Sequence, residues 1–277
     1  MKRIAVCLIA LFSFGLGCVQ AAETYTLSMQ PLYSPEEIFS SIKPLAEYLS
    51  KELNSKVEPV VAKDFPEYEG RLKSGDISIG YTSPVIYTKN SQAQEVLATA
   101  ADEKEGGQLR GVIITRQDSA IRNLADLKGK KVAIPSFSGG GGYWSQRLTL
   151  LENGVDTTKD MQLVEVPDNK HENVILAVYL GDVDAGFIRE AALHSADAYV
   201  PPSQIRMLAE TAAIPNWALS AHRSMPTETR RALQTALLKL KPGDPVLKAL
   251  KVARFENLSD KAYDGLRKAV GLPVSAR

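Results

Sequence analysis

Apolar Tyr25, Leu27 and Met29 alternate with polar Thr26 and Ser28, the two-residue period of a half-buried strand. A loop over residues 30–33 follows. Ser34 then offers an N-cap, Pro35 a first helical position, and Glu37 the reciprocal acid three residues after the cap. Ile38, Ile42, Leu45, Leu49 and Leu53 recur at helical spacing, which predicts one amphipathic helix packed on a sheet. Residues 57–62 read as a second strand, Asp64 and Glu67 open a short helix, and 77–81 read as a third strand. Strand, helix, strand, helix, strand predicts parallel pairing beneath covering helices.

The pattern restarts at a strand over 111–115 and continues through a short helical turn into a strand over 132–134. A glycine-rich loop, 135–142, leads to a helix over 143–152 closed by Gly154. A strand over 161–166, a helix over 172–180 ending at Gly181, and a strand over 185–188 complete this unit. The C-terminal third returns to helices. One begins at Thr227 and carries Leu233, Leu237 and Leu238, and Ser259 caps the last. The expectation is an α/β protein of two lobes, each a mixed, mostly parallel sheet flanked by helices. Lobe 1 spans 23–110, lobe 2 spans 111–212, and 213–277 returns to pack on lobe 1. Two hinge crossings fall near 109–112 and 209–215.

The first 22 residues read differently. Lys2 and Arg3 precede an apolar run over 4–16, and small Ala21 and Ala22 stand before a polar stretch, the order of a secretory signal peptide cleaved after Ala21 or Ala22. Both cysteines, Cys7 and Cys18, lie inside it, so the remaining chain has no thiol chemistry and no disulfide. Lipidation at Cys18 is the rival exit, weakened by Gly15 where a branched apolar residue belongs. Removing the leader takes two of the 33 basic residues and none of the 32 acidic ones. A near-neutral surface argues against nucleic acid and anionic membrane as partners.

In open α/β sheets, ligands sit beyond the carboxyl ends of strands. Four such loops stand out: 30–33 with Tyr33; Tyr81-Thr82-Ser83 before Pro84; Ser136-Phe137-Ser138-Gly139 with three further glycines before Tyr143 and Trp144; and 168–171 with His171. Glycines let backbone approach a ligand, a helix start presents free N–H groups, and serine hydroxyls add donors, together a receptor for an anion. The same residues also suit plain turns and caps. Glu190, after the strand over 185–188, fits either a ligand ammonium group or a solvated first turn. Catalytic and metal patterns are weak: Ser138 lacks the glycine of a nucleophile elbow, and His171, His194 and His222 form no ligand set at a known spacing. No metal and no cofactor are expected.

The order of motifs resembles the phosphate, phosphite and phosphonate solute-binding proteins of ABC importers, of the type 2 periplasmic binding protein fold. The resemblance rests on residues 43–53, 77–87, 124–134 and 136–139, on His171, and on 181–186. It implies a periplasmic protein, a monomer, that closes two lobes on a small oxyanion and delivers it to an inner-membrane ABC permease, without being an enzyme. It implies ligand contacts at Tyr81, Thr82, Ser83, Ser136, Phe137, Ser138, Gly139 and His171, with Glu190 meeting an amine where the ligand has one; the strand-end loops add Tyr33 and Tyr143 as candidate contacts. Phe137 departs from the threonine of that family's serine-rich turn, and Ser78 from its usual aspartate. The alternative roles are a sensing subunit for a membrane histidine kinase and, from another class, a secreted serine hydrolase using Ser138 and His171.

Overall fold

The computed structural model describes residues 23–103 and 106–275; the leader and its cysteines lie outside the described residues. Strand β1 (Thr24–Met29) enters helix α1 (Pro35–Leu53) through the predicted cap: the Glu37 N–H donates to Ser34 Oγ at 3.3 Å, and the Ser34 N–H to Glu37 Oε2 at 3.0 Å. These bonds satisfy two backbone donors that a helix start leaves over. The buried face of α1 is Ile38, Ile42, Leu45, Ala46 and Leu49, and Asn54 stops the helix in the left-handed region at φ 47°.

In chain order there follow β2 (Lys56–Pro59), α2 (Phe65–Ser74), β3 (Ile79–Thr82), α3 (Pro84–Asn90), β4 (Gln94–Ala101), β5 (Gln108–Leu109) and β6 (Gly111–Arg116). Next come β7 (Lys131–Ile134), α4 (Ser145–Glu152), β8 (Gln162–Glu165), α5 (His171–Leu180) and β9 (Ala185–Arg189). The chain ends with β10 (Ile205–Glu210), β11 (Ile214–Pro215), β12 (Ala218–His222), α6 (Thr227–Lys239), α7 (Pro245–Leu250), β13 (Arg254–Glu256) and α8 (Asp264–Ala269).

Two sheets divide these strands, six in the order β13-β4-β12-β3-β1-β2 and five in the order β10-β6-β9-β7-β8. Parallel pairing is confined to β2-β1-β3 and β8-β7-β9; every other pair in the two sheets is antiparallel. The C-terminal third is not purely helical as expected. It returns β12 to the middle of the first sheet, between β3 and β4, and β13 to its edge. Alternation in β12 is carried by alanine, leucine and serine rather than β-branched residues, so its strand signal is weak.

The first sheet packs with α1, α6 and α7 around a core that includes Leu27, Ile42, Leu219, Leu237 and Leu247. The second sheet has a core on each face, one around Val112, Val174 and Ile188, the other around Ile113, Val132 and Phe187. Between the sheets, β5 pairs with β11 in a two-stranded ribbon. Beneath that ribbon Tyr87, Leu148, Tyr263 and Leu266 join α3, α4 and α8 in a further apolar cluster. Helix α8 therefore touches helices of both lobes. The ribbon fixes the only crossings of the described chain, and it places the carboxyl ends of β3 and β7 on either side of a cleft.

Candidate functional site

The first-lobe wall is built where β1 and β3 end. The Gln30 N–H donates to the Tyr81 carbonyl at 3.1 Å, and the Ser83 N–H donates to Gln30 Oε1 at 2.6 Å. That pair fixes the turn entering α3, whose first residue is Pro84. The amide nitrogen of Gln30 and the hydroxyls of Thr82 and Ser83 are buried with no hydrogen-bond partner among the described residues. Such groups cost free energy when left unmade, which marks a polar surface organised for something else. Burial pushes the Tyr81 phenol far above its ordinary range, so it is a neutral donor at physiological pH.

The second-lobe wall is the loop after β7. Ser136 and Ser138 hydroxyls lie 2.8 Å apart, and the Ser138 N–H donates to Ser136 Oγ at 3.2 Å. The Phe137 N–H donates to Glu165 Oε1 at 2.7 Å, and Trp144 Nε1 donates back to the Phe137 carbonyl at 2.8 Å. Residues Gly140–Trp144 form a π-helical turn rather than an open loop. The first N–H groups of such a turn have no partner within it. A side chain at Gly141 would place its Cβ 3.1 Å from Arg189 Cγ and 3.2 Å from the Arg110 carbonyl, and one at Gly142 would meet Pro135 at 2.9 Å and His171 Cε1 at 3.0 Å. The glycines are thus required by close packing as well as suited to a ligand. Buried Gln146 clamps the turn from behind: its Nε2 donates to the carbonyls of Gly141, Val112 and Ile188 at 2.8, 3.2 and 2.9 Å.

The two walls meet at one cavity, and a second lies on the first-lobe side with Arg189 as its second-lobe residue. One of about 230 Å³ is lined by Ser83, Phe137 and Ser138 together with Phe65, Lys89 and Trp144. The other, about 510 Å³, is lined by Tyr33 and Tyr81 with Asp102, Arg189, Asn216 and Trp217 among others. A Cβ at Gly140 would stand 3.5 Å from Pro84 Cγ, so the π turn abuts the first-lobe turn. The remaining sequence-based positions lie elsewhere. Thr82, Ser136 and Gly139 stand behind the lining. The Tyr143 hydroxyl sits 3.3 Å from Thr157 Oγ1 within the second-lobe core. His171 Nδ1 accepts from the Arg189 N–H at 3.2 Å, which leaves the other ring nitrogen to carry the proton, and burial pushes its pKa down to about 4. Glu190 faces Arg110 at 3.8 Å beside the hinge. Sequence reasoning reached Gln30 only as the start of the 30–33 loop, and passed over Asp102, Arg189 and Trp217. Of these, Arg189 had a usable signal, a cation closing the strand one residue before the acid that was chosen.

Among the described residues, no group of three His, Cys, Asp or Glu side chains is arranged for a metal ion, and no helix is long and apolar enough to cross a membrane.

Two α/β lobes joined by a β-ribbon, with a polar cleft where their strand ends meet, define a two-lobed solute-binding protein. The chain belongs to the family of ABC transporter phosphonate periplasmic substrate-binding proteins, whose model matches residues 27–263. It is 29% identical over 176 residues to the phosphate-import protein PhnD of Mycolicibacterium smegmatis, covering 60% of this chain and 54% of that protein. It is 27% identical over 170 residues to the tetrathionate sensor histidine kinase TtrS of Salmonella typhimurium, covering 59% of this chain and 28% of the kinase. The chain thus spans about half of the first relative and under a third of the second. Among solved structures, PhnD1 from Prochlorococcus marinus in complex with methylphosphonate superposes with a TM-score of 0.63 at 15% identity, over 89% of this chain and 96% of that one. A Xanthomonas citri protein bound to ATP gives 0.72 at 18% identity, over 90% and 98%. At these identities the likeness is one of fold.

Proposed function

We propose that this chain is the periplasmic solute-binding component of an ABC importer, exported by a leader cleaved after Ala21 or Ala22. It closes two lobes on a small oxyanion of the phosphonate, phosphate or phosphite type and presents it to an inner-membrane permease. The observation that carries this reading is the set of buried, unpartnered polar atoms on Gln30, Thr82 and Ser83 at a strand end that abuts a glycine-built helix start. An anion leaving water needs several donors, and this junction supplies neutral ones from both lobes. Lobe closure completes the set, so binding and closure are one event.

No turnover is part of the proposal. The Ser138 hydroxyl bonds Ser136, and the acceptor nitrogen of His171 is taken by a backbone N–H, so no base stands ready to activate the serine. The test is thermal melting of the mature protein against phosphate, phosphite, phosphonates and other oxyanions, because a ligand of the native state raises the melting temperature. The reading fails if the whole panel leaves melting unmoved while a metal ion or an oligonucleotide shifts it. The likeness to a sensor kinase favours a second role for the same cleft, ligand sensing beside a histidine kinase. A neighbouring kinase gene in place of a permease gene supports it.

A further inference from the structure

The 510 Å³ cavity falls within the range of about 300–1,000 Å³ that holds organic ligands. Its charged groups are two cations, Arg189 and Lys251, and two carboxylates, Asp102 and Glu37. Arg189 leaves the end of β9 with its stem against Gly141, and its guanidinium donates to Asp102 of the opposite lobe at 2.5 Å. Asp102 and Glu37 are the carboxylates on the lining, and each is engaged: Asp102 by Arg189, Glu37 by the Ser34 N–H in the cap of α1. An ammonium group entering here has to compete with Arg189 for Asp102, or share Glu37 with the Ser34 N–H and with nearby Lys251. An oxyanion instead competes with Asp102 for a guanidinium, whose planar fork suits tetrahedral oxyanions.

Ser40, Ser41 and Asn216 add neutral polar groups to the lining, and beside them the wall has an aromatic face. Tyr81 and Trp217 rings lie 5.1 Å apart, and Tyr33 borders the same cavity while remaining 58% exposed. Methylphosphonate or phosphate offers these rings almost nothing to cover. Resting on the reading of the cleft as an oxyanion site, we propose that its ligand is an organic oxyanion with an uncharged, aryl-sized apolar substituent, whose head is read by Arg189 and whose substituent covers Tyr33, Tyr81 and Trp217. Arg189, rather than Glu190 beside it, then sets ligand charge, and aminoalkyl substituents are selected against.

Titration calorimetry on the mature protein with phosphate, methylphosphonate, phenylphosphonate and 2-aminoethylphosphonate tests this. Phenylphosphonate is expected to bind about tenfold or more tightly than methylphosphonate, from ring area removed from water, and 2-aminoethylphosphonate most weakly. Arg189→Gln should cost phenylphosphonate about tenfold or more in affinity, Arg189→Lys less, because lysine keeps the charge and loses the fork. Tyr33→Ala, at an exposed position, should narrow the gap between phenylphosphonate and methylphosphonate. The inference is overturned if methylphosphonate matches phenylphosphonate, if the aminoalkyl ligand binds most tightly, or if folded Arg189→Gln binds as wild type does. If none of the four binds wild type, the oxyanion reading itself falls and takes this inference with it.

Discussion

On the first-lobe side of the cleft, the hydroxyls of Thr82 and Ser83 and the amide of Gln30 are buried and unpartnered. On the second-lobe side, Ser136 and Ser138 bond each other, and the loop between them is held by Glu165 and Trp144. Both sides are strand ends entering helices, yet the first-lobe hydroxyls lack partners among the described residues while the second-lobe serine hydroxyls hold each other. The first-lobe wall therefore carries a standing cost in stability. The second-lobe serines must release each other to meet an anion, and their loop depends on what braces it from behind, including Gln146, whose own Oε1 is buried without a partner among the described residues.

Bracing gives the largest expected effect. Gln146→Leu removes three hydrogen bonds that tie the π turn to β6 and β9, and should destabilise the protein by about 2–4 kcal/mol. Urea denaturation measures it, and an unchanged midpoint would show that the turn holds itself. Ser83→Ala comes next and separates the two walls most sharply, because Ser83 lines the smaller cavity. Deleting its buried, unpartnered hydroxyl should stabilise the unliganded protein by about 1–3 kcal/mol while weakening oxyanion binding by a similar amount. Loss of stability instead would mean that the Ser83 hydroxyl already has its partner.

The second wall also carries a pH dependence through His171, which packs against Gly142. Its folded pKa is about 4, lowered chiefly by burial, and the unfolded value is about 6.5. Between these values the unfolded chain holds the extra proton. Stability is accordingly full above about pH 6.5, falls as pH drops toward 4, and levels off below. Replacing His171 with Asn should flatten that part of a melting-temperature profile; a profile that keeps its slope places the titrating group elsewhere. The smallest effect belongs to Glu190→Gln. Its pairing with Arg110 at 3.8 Å is exposed, so stability should change by no more than about 1 kcal/mol. Calorimetry should also show no change in the preference between amine-bearing and amine-free ligands.

The two walls were unequally legible in the sequence. Amphipathic spacing and the Ser34–Glu37 box read directly as α1, because helix signals are local. The Tyr81-Thr82-Ser83 turn and the serine–glycine loop stood out by composition, although the same residues also suit plain turns. What composition did not carry was long-range. β4 and β12 are rich in alanine and form central strands only because neighbours on both sides bury them. Gln146 sits unremarked within a helix, and its role exists only where carbonyls from β6, β9 and the π turn converge. Glu190 and Arg189 are adjacent, and spacing alone does not say which one reaches the cavity; the fold puts Arg189 on its lining and Glu190 at the hinge.

The central claim is that hydroxyls from both lobes hold one oxyanion between them. Calorimetric titration of methylphosphonate into wild type and into a Ser83→Ala/Ser138→Ala double variant tests it most directly, because both residues line one cavity. The account predicts saturable binding to wild type and a loss of about tenfold or more in the double variant, with its unliganded fold intact. Equal affinity in the two proteins would contradict it, because an anion gripped between these walls must register the loss of a donor on each.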